Sequence, residues 1–143
     1  HIGSGTGRGP LKYTVYTAAG SYRPIRSNKG KWTQVGTVEA QLPCGPGEYE
    51  PVLVKEDGVH IAAGARQAFY IHSPGHMTAV AFTLNPRGPD GSGIRDGATI
   101  DEDGPLQVLS GAKSCSARPF ESVTADAVRS FAGRIEYVLW CDT

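Results

Sequence analysis

An alternating run of β-branched and aromatic residues at Gly133–Cys141 is the strongest structural constraint in this sequence. Ile135, Tyr137 and Leu139 alternate with Arg134, Glu136 and Val138, which is the period-two pattern of a strand. The run predicts a strand built into the core, closing beside a cysteine.

Shorter runs of the same kind recur upstream. Lys12–Thr17 alternates with Tyr13, Val15 and Thr17 on one face, and Lys31–Val38 places Trp32 in a strand-like setting. Pro51–Val54, Val59–Ala62, Gln67–His72, Met77–Thr83 and Leu106–Leu109 complete the series. Turn residues separate them at Ala18–Pro24, Cys44–Gly47, Glu56–Gly58, Ala63–Gly64 and Pro74–Gly75. Residues 85–105 read as one long polar, Gly-rich loop. Only Ser122–Phe131 offers a helical pattern, of one to two turns at most. The expectation is an all-β fold, an antiparallel β-sandwich or jelly roll of seven to eight short strands. Residues 1–11 form a flexible N-terminal segment and residues 12–143 a single domain.

Composition agrees. Nineteen Gly and ten Pro are spread along the chain as punctuation, against one Met. A chain of 143 residues is long enough for one domain that buries roughly 68% of its unfolded surface. Fourteen basic residues balance fourteen acidic ones. That lacks the basic excess with which a nucleic-acid binder releases counterions. Apolar runs fall far short of the roughly 20 residues that span a bilayer. Neither nucleic acid nor a membrane span is therefore expected.

Several motifs occur in a fixed order. Val15-Tyr-Thr17 precedes Gly20-Ser-Tyr22, a Trp-x-x-Val at 32–35, Val59-x-Ile61-x-x-Gly64 and Ala68–Ile71. Leu106-x-Val-Leu-x-Gly111, Pro119-Phe120 and Phe131-x-Gly133-x-Ile-Glu-Tyr137 follow. Over residues 12–137 the series resembles an uncharacterised β-rich extracellular module of large secreted or surface proteins in microalgae and some bacteria. The resemblance implies an extracellular or cell-surface location and a non-catalytic role, and brings no active site with it. Such modules carry one or two further strands ahead of the Val-Tyr-Thr segment. Without them a sheet edge would stand open to another chain. Residues 1–9 read as the exposed start of a processed fragment, and the Gly-rich segment His1–Pro10 could cross to a neighbour. His1, Ile2, Gly3 and Leu11 are thus candidate subunit contacts in a head-to-tail fibre.

Three cysteines in an oxidising compartment allow one internal disulfide and leave one thiol. Cys115–Cys141 is the favoured pair, with Cys44–Cys141 and Cys44–Cys115 as alternatives. No Cys-x-x-Cys spacing supports zinc or redox chemistry. His72 and His76 stand four apart, but Pro74 and Gly75 forbid the helix that would bring them together. Asp96, Asp101 and Asp103 supply oxygen donors for calcium, without the spacing of a helix-flanked calcium loop. A solvated acidic turn is the ordinary reading, so no cofactor is expected.

Catalytic patterns are weaker still. There is no Gly-x-Ser-x-Gly elbow or phosphate loop, and Glu48 with Glu50, or Asp101 with Asp103, lie in turn-like segments. An enzyme is the third-ranked reading. The first is a secreted structural or adhesive module, self-assembling or joined to other extracellular proteins. The second is a carbohydrate-binding module. Of the twelve aromatic residues, Trp32 and Trp140 are expected in the core, whereas the turn residues Tyr22 and Tyr49 are the candidate contacts for a polysaccharide.

Overall fold

The predicted inner face of the first strand is the buried one. Tyr13, Val15 and Thr17 of β1 (Leu11–Ala19) are all buried, Tyr13 completely. The structure is a computed structural model and describes residues 11–40, 57–74, 82–84, 87, 90–114, 116–121, 123–131 and 134–140. Strand β1 is the middle of a three-stranded antiparallel sheet, between β2 (Thr33–Ala40) and β3 (Gln67–His72). Tyr16 lies opposite Tyr70, and Thr17 opposite Phe69. A bulge shifts the β1–β2 register between Val15 and Tyr16. The hydroxyl of Thr17 ties the strands further, donating to the Ala68 carbonyl at 2.9 Å and accepting from the Gln67 amide at 2.7 Å.

The second sheet has β8 (Val123–Phe131) between β4 (Phe82–Leu84) and β7 (Gly111–Ser114), again antiparallel. The third unit is a hairpin of β5 (Thr99–Asp103) and β6 (Leu106–Leu109). Its loop is Gly104-Pro105, with Gly104 at φ +53°. A glycine with positive φ first and a proline second suits a two-residue hairpin turn. Ser110 fastens the base of the hairpin, its N–H on the Ala98 carbonyl and its hydroxyl on that of Arg95.

The all-β expectation holds at this level: small antiparallel sheets and no α-helix among the described residues. In detail the chain departs from its sequence pattern in several places, among them Lys31 and Trp32, which end a 3-10 turn ahead of β2 instead of beginning the strand. The helical turns expected at Ser122–Phe131 are strand β8, because neighbours on both sides take its backbone hydrogen bonds and outweigh the local preference of its two alanines. The strand expected at Gly133–Cys141 does not form at Arg134–Trp140, which pairs with no strand among the described residues. Alternation alone makes no strand without a partner for the backbone. Trp140, expected in the core, is 84% exposed, and Val138 81%. Val59–Ala62 is irregular, set between Gly58 and Gly64, both at positive φ. The loop expected over 85–105 contains β5, since β6 needs a neighbour and the tight Gly104-Pro105 turn supplies one. Strand β7, small and polar, carries no pattern that predicts it. Pro51–Val54 and residues 77–81 lie outside the described residues.

Phe120 caps the outer face of the first sheet. It is 4% exposed and is the one described non-glycine residue in the left-handed region, at φ +67°. Its ring stacks on Tyr70 at 4.8 Å and meets Tyr16 edge-on at 4.9 Å, and its N–H donates to the Tyr70 hydroxyl. A bulky residue at positive φ costs about 1–2 kcal/mol, and aromatic pairs return roughly 0.5–1.5 kcal/mol each beyond burial. The ring contacts therefore hold the backbone where it would not sit alone. Phe120→Ala is expected to lower the unfolding free energy by about 3 kcal/mol in urea denaturation. A loss below about 1 kcal/mol would mean that the ring is not what anchors the 116–121 loop.

Candidate aromatic cleft

The connection from β1 to β2 builds most of the site. It leaves β1 through Gly20 at φ +84°, whose N–H donates to the Arg66 carbonyl at 2.7 Å. Two 3-10 turns follow, Arg23–Ile25 and Lys29–Lys31. Pro24 suits the first turn because its missing N–H would have had no partner there. Asn28 caps the second, its side-chain oxygen accepting from the Gly30 N–H at 3.2 Å. The indole N–H of Trp32 reaches back to the Ile25 carbonyl at 3.0 Å and fixes the ring across both turns.

Trp32 lies 5.7 Å from Phe120 and 5.9 Å from Tyr70, so it extends the cluster of Tyr16, Tyr70 and Phe120 toward the surface. A cleft of about 80 Å³ opens there, lined by Tyr22, Arg26, Trp32, Phe69, Tyr70 and the Gly111-Ala112 step of β7. Among its lining residues, Tyr22, Trp32 and Tyr70 are half-buried. The lining residues from β7 are small, and a Cβ added at Gly111 would meet nothing within 4 Å.

Asp96 locks one end of this arrangement. The Tyr22 hydroxyl donates to its Oδ1 at 2.7 Å, and Arg23 Nε donates to Oδ2 at 2.6 Å while Nη2 reaches the Asp96 carbonyl at 2.8 Å. The Asp96 side chain is 13% exposed and that of Arg23 55%, so the pair is sheltered on its carboxylate side only. Burial first, then the adjacent carboxylate, pushes the Tyr22 phenol up to about 12, with Arg23 acting in the opposite sense. On the same face of β3, His72 stacks on Tyr70 at 6.3 Å. Its Nε2 is buried with no hydrogen-bond partner. Burial lowers the His72 pKa, opposed by the backbone of Ser116 and Ala117.

The residues singled out from sequence fall unevenly on this picture. Tyr22 lies in the cleft, although its hydroxyl is committed to Asp96. The three acidic calcium candidates are not brought together. Asp96 is held as above, Asp101 accepts from the Glu102 N–H, and Asp103 accepts from the Tyr137 hydroxyl at 2.9 Å. No group of three or more His, Cys, Asp or Glu is placed to hold a metal among the described residues. Cys44, Cys115, Cys141, Tyr49, His76, His1, Ile2 and Gly3 lie outside the described residues. Leu11 begins β1, its backbone opposite Ala40. Trp32, Tyr70 and Arg26 were not foreseen as site residues. The sequence signal for Arg26 and Trp32 is the clustering of aromatic and basic residues between Tyr22 and Trp32, whereas Tyr70 stands out only as part of the Gln67–His72 strand run.

No family model, curated protein or solved structure matches the chain. Among the described residues no helix is long and apolar enough to cross a membrane.

Tyr22 gives the site a measurable signature. A folded pKa near 12 against 10.0 for the free phenol means that the folded state keeps a proton the unfolded state has lost. Stability from that proton is complete below about pH 10 and disappears as pH rises through 12. The difference in ultraviolet titration between the protein and Tyr22→Phe should show a phenol ionising near pH 12, and Asp96→Asn should bring it closer to 10. A Tyr22 titrating near 10 in the parent protein would contradict the buried hydrogen bond.

Proposed function

We propose that this chain is a non-catalytic extracellular adhesive module of β-sandwich or jelly-roll type, and that it holds a carbohydrate in the aromatic cleft. The observation that carries this reading is the preformed cluster of Trp32, Tyr70, Tyr16 and Phe120 reaching the surface beside Tyr22. Aromatic rings held rigidly by their neighbours offer apolar faces to the C–H faces of a pyranose, and little entropy is lost on binding. At about 80 Å³ the cleft is too small to enclose a whole pyranose, so a sugar would lie over its mouth against the aromatic rings. The sequence resemblance to extracellular modules supports the location and the non-catalytic role. A glycan array should give saturable, micromolar binding to one polysaccharide class; uniform absence of binding would remove this reading.

A second reading, self-assembly, is favoured by one specific observation. Ile135, Tyr137, Val138, Leu139 and Trp140 are 40–84% exposed along a segment without strand pairing among the described residues. The Tyr137 hydroxyl, bonded to Asp103, tethers this apolar run beside the end of β5. An extended apolar segment of that kind adds readily to the sheet edge of a second copy. Sedimentation velocity should show concentration-dependent oligomers that Val138→Asp with Trp140→Asp abolishes. Equal monomers from both proteins would rule this out.

A further inference from the structure

The neutral formal charge conceals a strong separation. Six of the fourteen basic residues, and none of the fourteen acidic ones, precede Glu39. Residues 1–38 therefore carry +6, balanced by −6 on the remainder. Four of the six cations, Arg23, Arg26, Lys29 and Lys31, fall within the short connection that also supplies Tyr22 and Trp32 to the cleft. Arg23 is committed to Asp96. Arg26 lines the cleft, and Lys29 and Lys31 are exposed on the turn beside it. None of these three has an acidic partner among the described residues.

Resting on the carbohydrate reading above, we propose that the cleft selects anionic polysaccharide, with a uronate carboxylate or a sulfate ester held by Arg26 and assisted by Lys29 and Lys31. The two halves of the site have separate tasks. Trp32 and Tyr70 offer faces that any pyranose can cover. The Arg26 guanidinium presents paired N–H donors that match two oxygens of a carboxylate or sulfate. Lys29 and Lys31 act as point charges that raise the local concentration of the anion and speed its arrival. A nucleic acid would also find aromatic faces and cations here. Its longer, denser line of phosphates would have to run past a remainder of the molecule that carries −6, including the exposed Asp101, Glu102 and Asp103 of the hairpin. The balance favours a short stretch of acidic sugar.

The test uses the full chain with Trp140→Phe, which leaves Trp32 as the sole indole; Trp140 is 84% exposed and its loss leaves the core intact. Trp32 emission is followed during titration with tetragalacturonate, its carboxyl-reduced neutral counterpart, a sulfated galactan oligomer, its desulfated form, and an oligothymidylate. At low salt the anionic sugars should bind about tenfold or more tightly than their neutral partners, with a saturable change in Trp32 emission. That advantage should shrink at about 0.5 M salt, where screening is strong. Arg26→Gln should remove about tenfold of it while leaving the neutral sugars unaffected. Equal affinity for charged and neutral partners would overturn the inference and leave the carbohydrate reading standing. Binding of none of the four sugars would overturn both. Charge preference that survives Arg26→Gln, or that leaves Trp32 emission unchanged, would overturn the assignment to this cleft, as would tighter binding of oligothymidylate.

Discussion

The pairing of Tyr16 with Tyr70 across β1 and β3, closed by Phe120, is the contact on which the described architecture depends. Strand pairing brings the two tyrosines opposite each other, and the ring of Phe120 covers both. The loop 116–121 thereby becomes part of the first sheet's packing, although its neighbouring strands β7 and β8 belong to the second sheet. Trp32 then completes the cluster from the other side. Remove the central ring and the loop, the indole and the outer face of the sheet lose a common partner. The price is a bulky residue with its backbone in the left-handed region, where a side chain is seldom found unless its surroundings fix it.

Much of the strand pattern was legible in the sequence where a run of β-forming residues also found a partner strand. Gln67–His72 and Leu106–Leu109 match their periodic runs, and the buried set Tyr13, Val15, Thr17 is the one that alternation singles out. The failures share one cause. Val123–Phe131 is a strand since β4 and β7 flank it, whereas Arg134–Trp140, with the stronger β pattern, has no flanking strand among the described residues. A strand is a property of two or three segments at once, and the sequence of one segment carries only part of that information. Strand β7 makes the same point from the other side, for Gly111–Ser114 has almost no β preference of its own.

The site was half legible. Tyr22 stood out as an aromatic residue in a turn, and the structure sets it beside a cleft. Trp32 was expected in the core, and is half-buried: one side packs on Phe120 and Tyr70, while the other borders the cleft. That division cannot be read from spacing, because it depends on residues 38 and 88 positions away. The acidic candidates illustrate the converse. Asp96 attracts notice as a metal donor, yet it meets Arg23 and Tyr22 from a connection more than 70 residues upstream, and its charge is satisfied within the protein.

These separations also set an order of assembly. The β5–β6 hairpin closes through a two-residue turn, an event of about 1–10 μs that needs no other part of the chain. The contact of Phe120 with Tyr70 spans 50 residues, that of Thr17 with Ala68 spans 51, and that of Tyr22 with Asp96 spans 74. Each must first overcome the entropy of closing a long loop, and such contacts form after local ones. The aromatic cleft is thus a late product of folding, assembled from three stretches of chain that meet only once the sheets exist. The acidic hairpin needs only its own residues to close, whereas the aromatic face needs most of the chain in place.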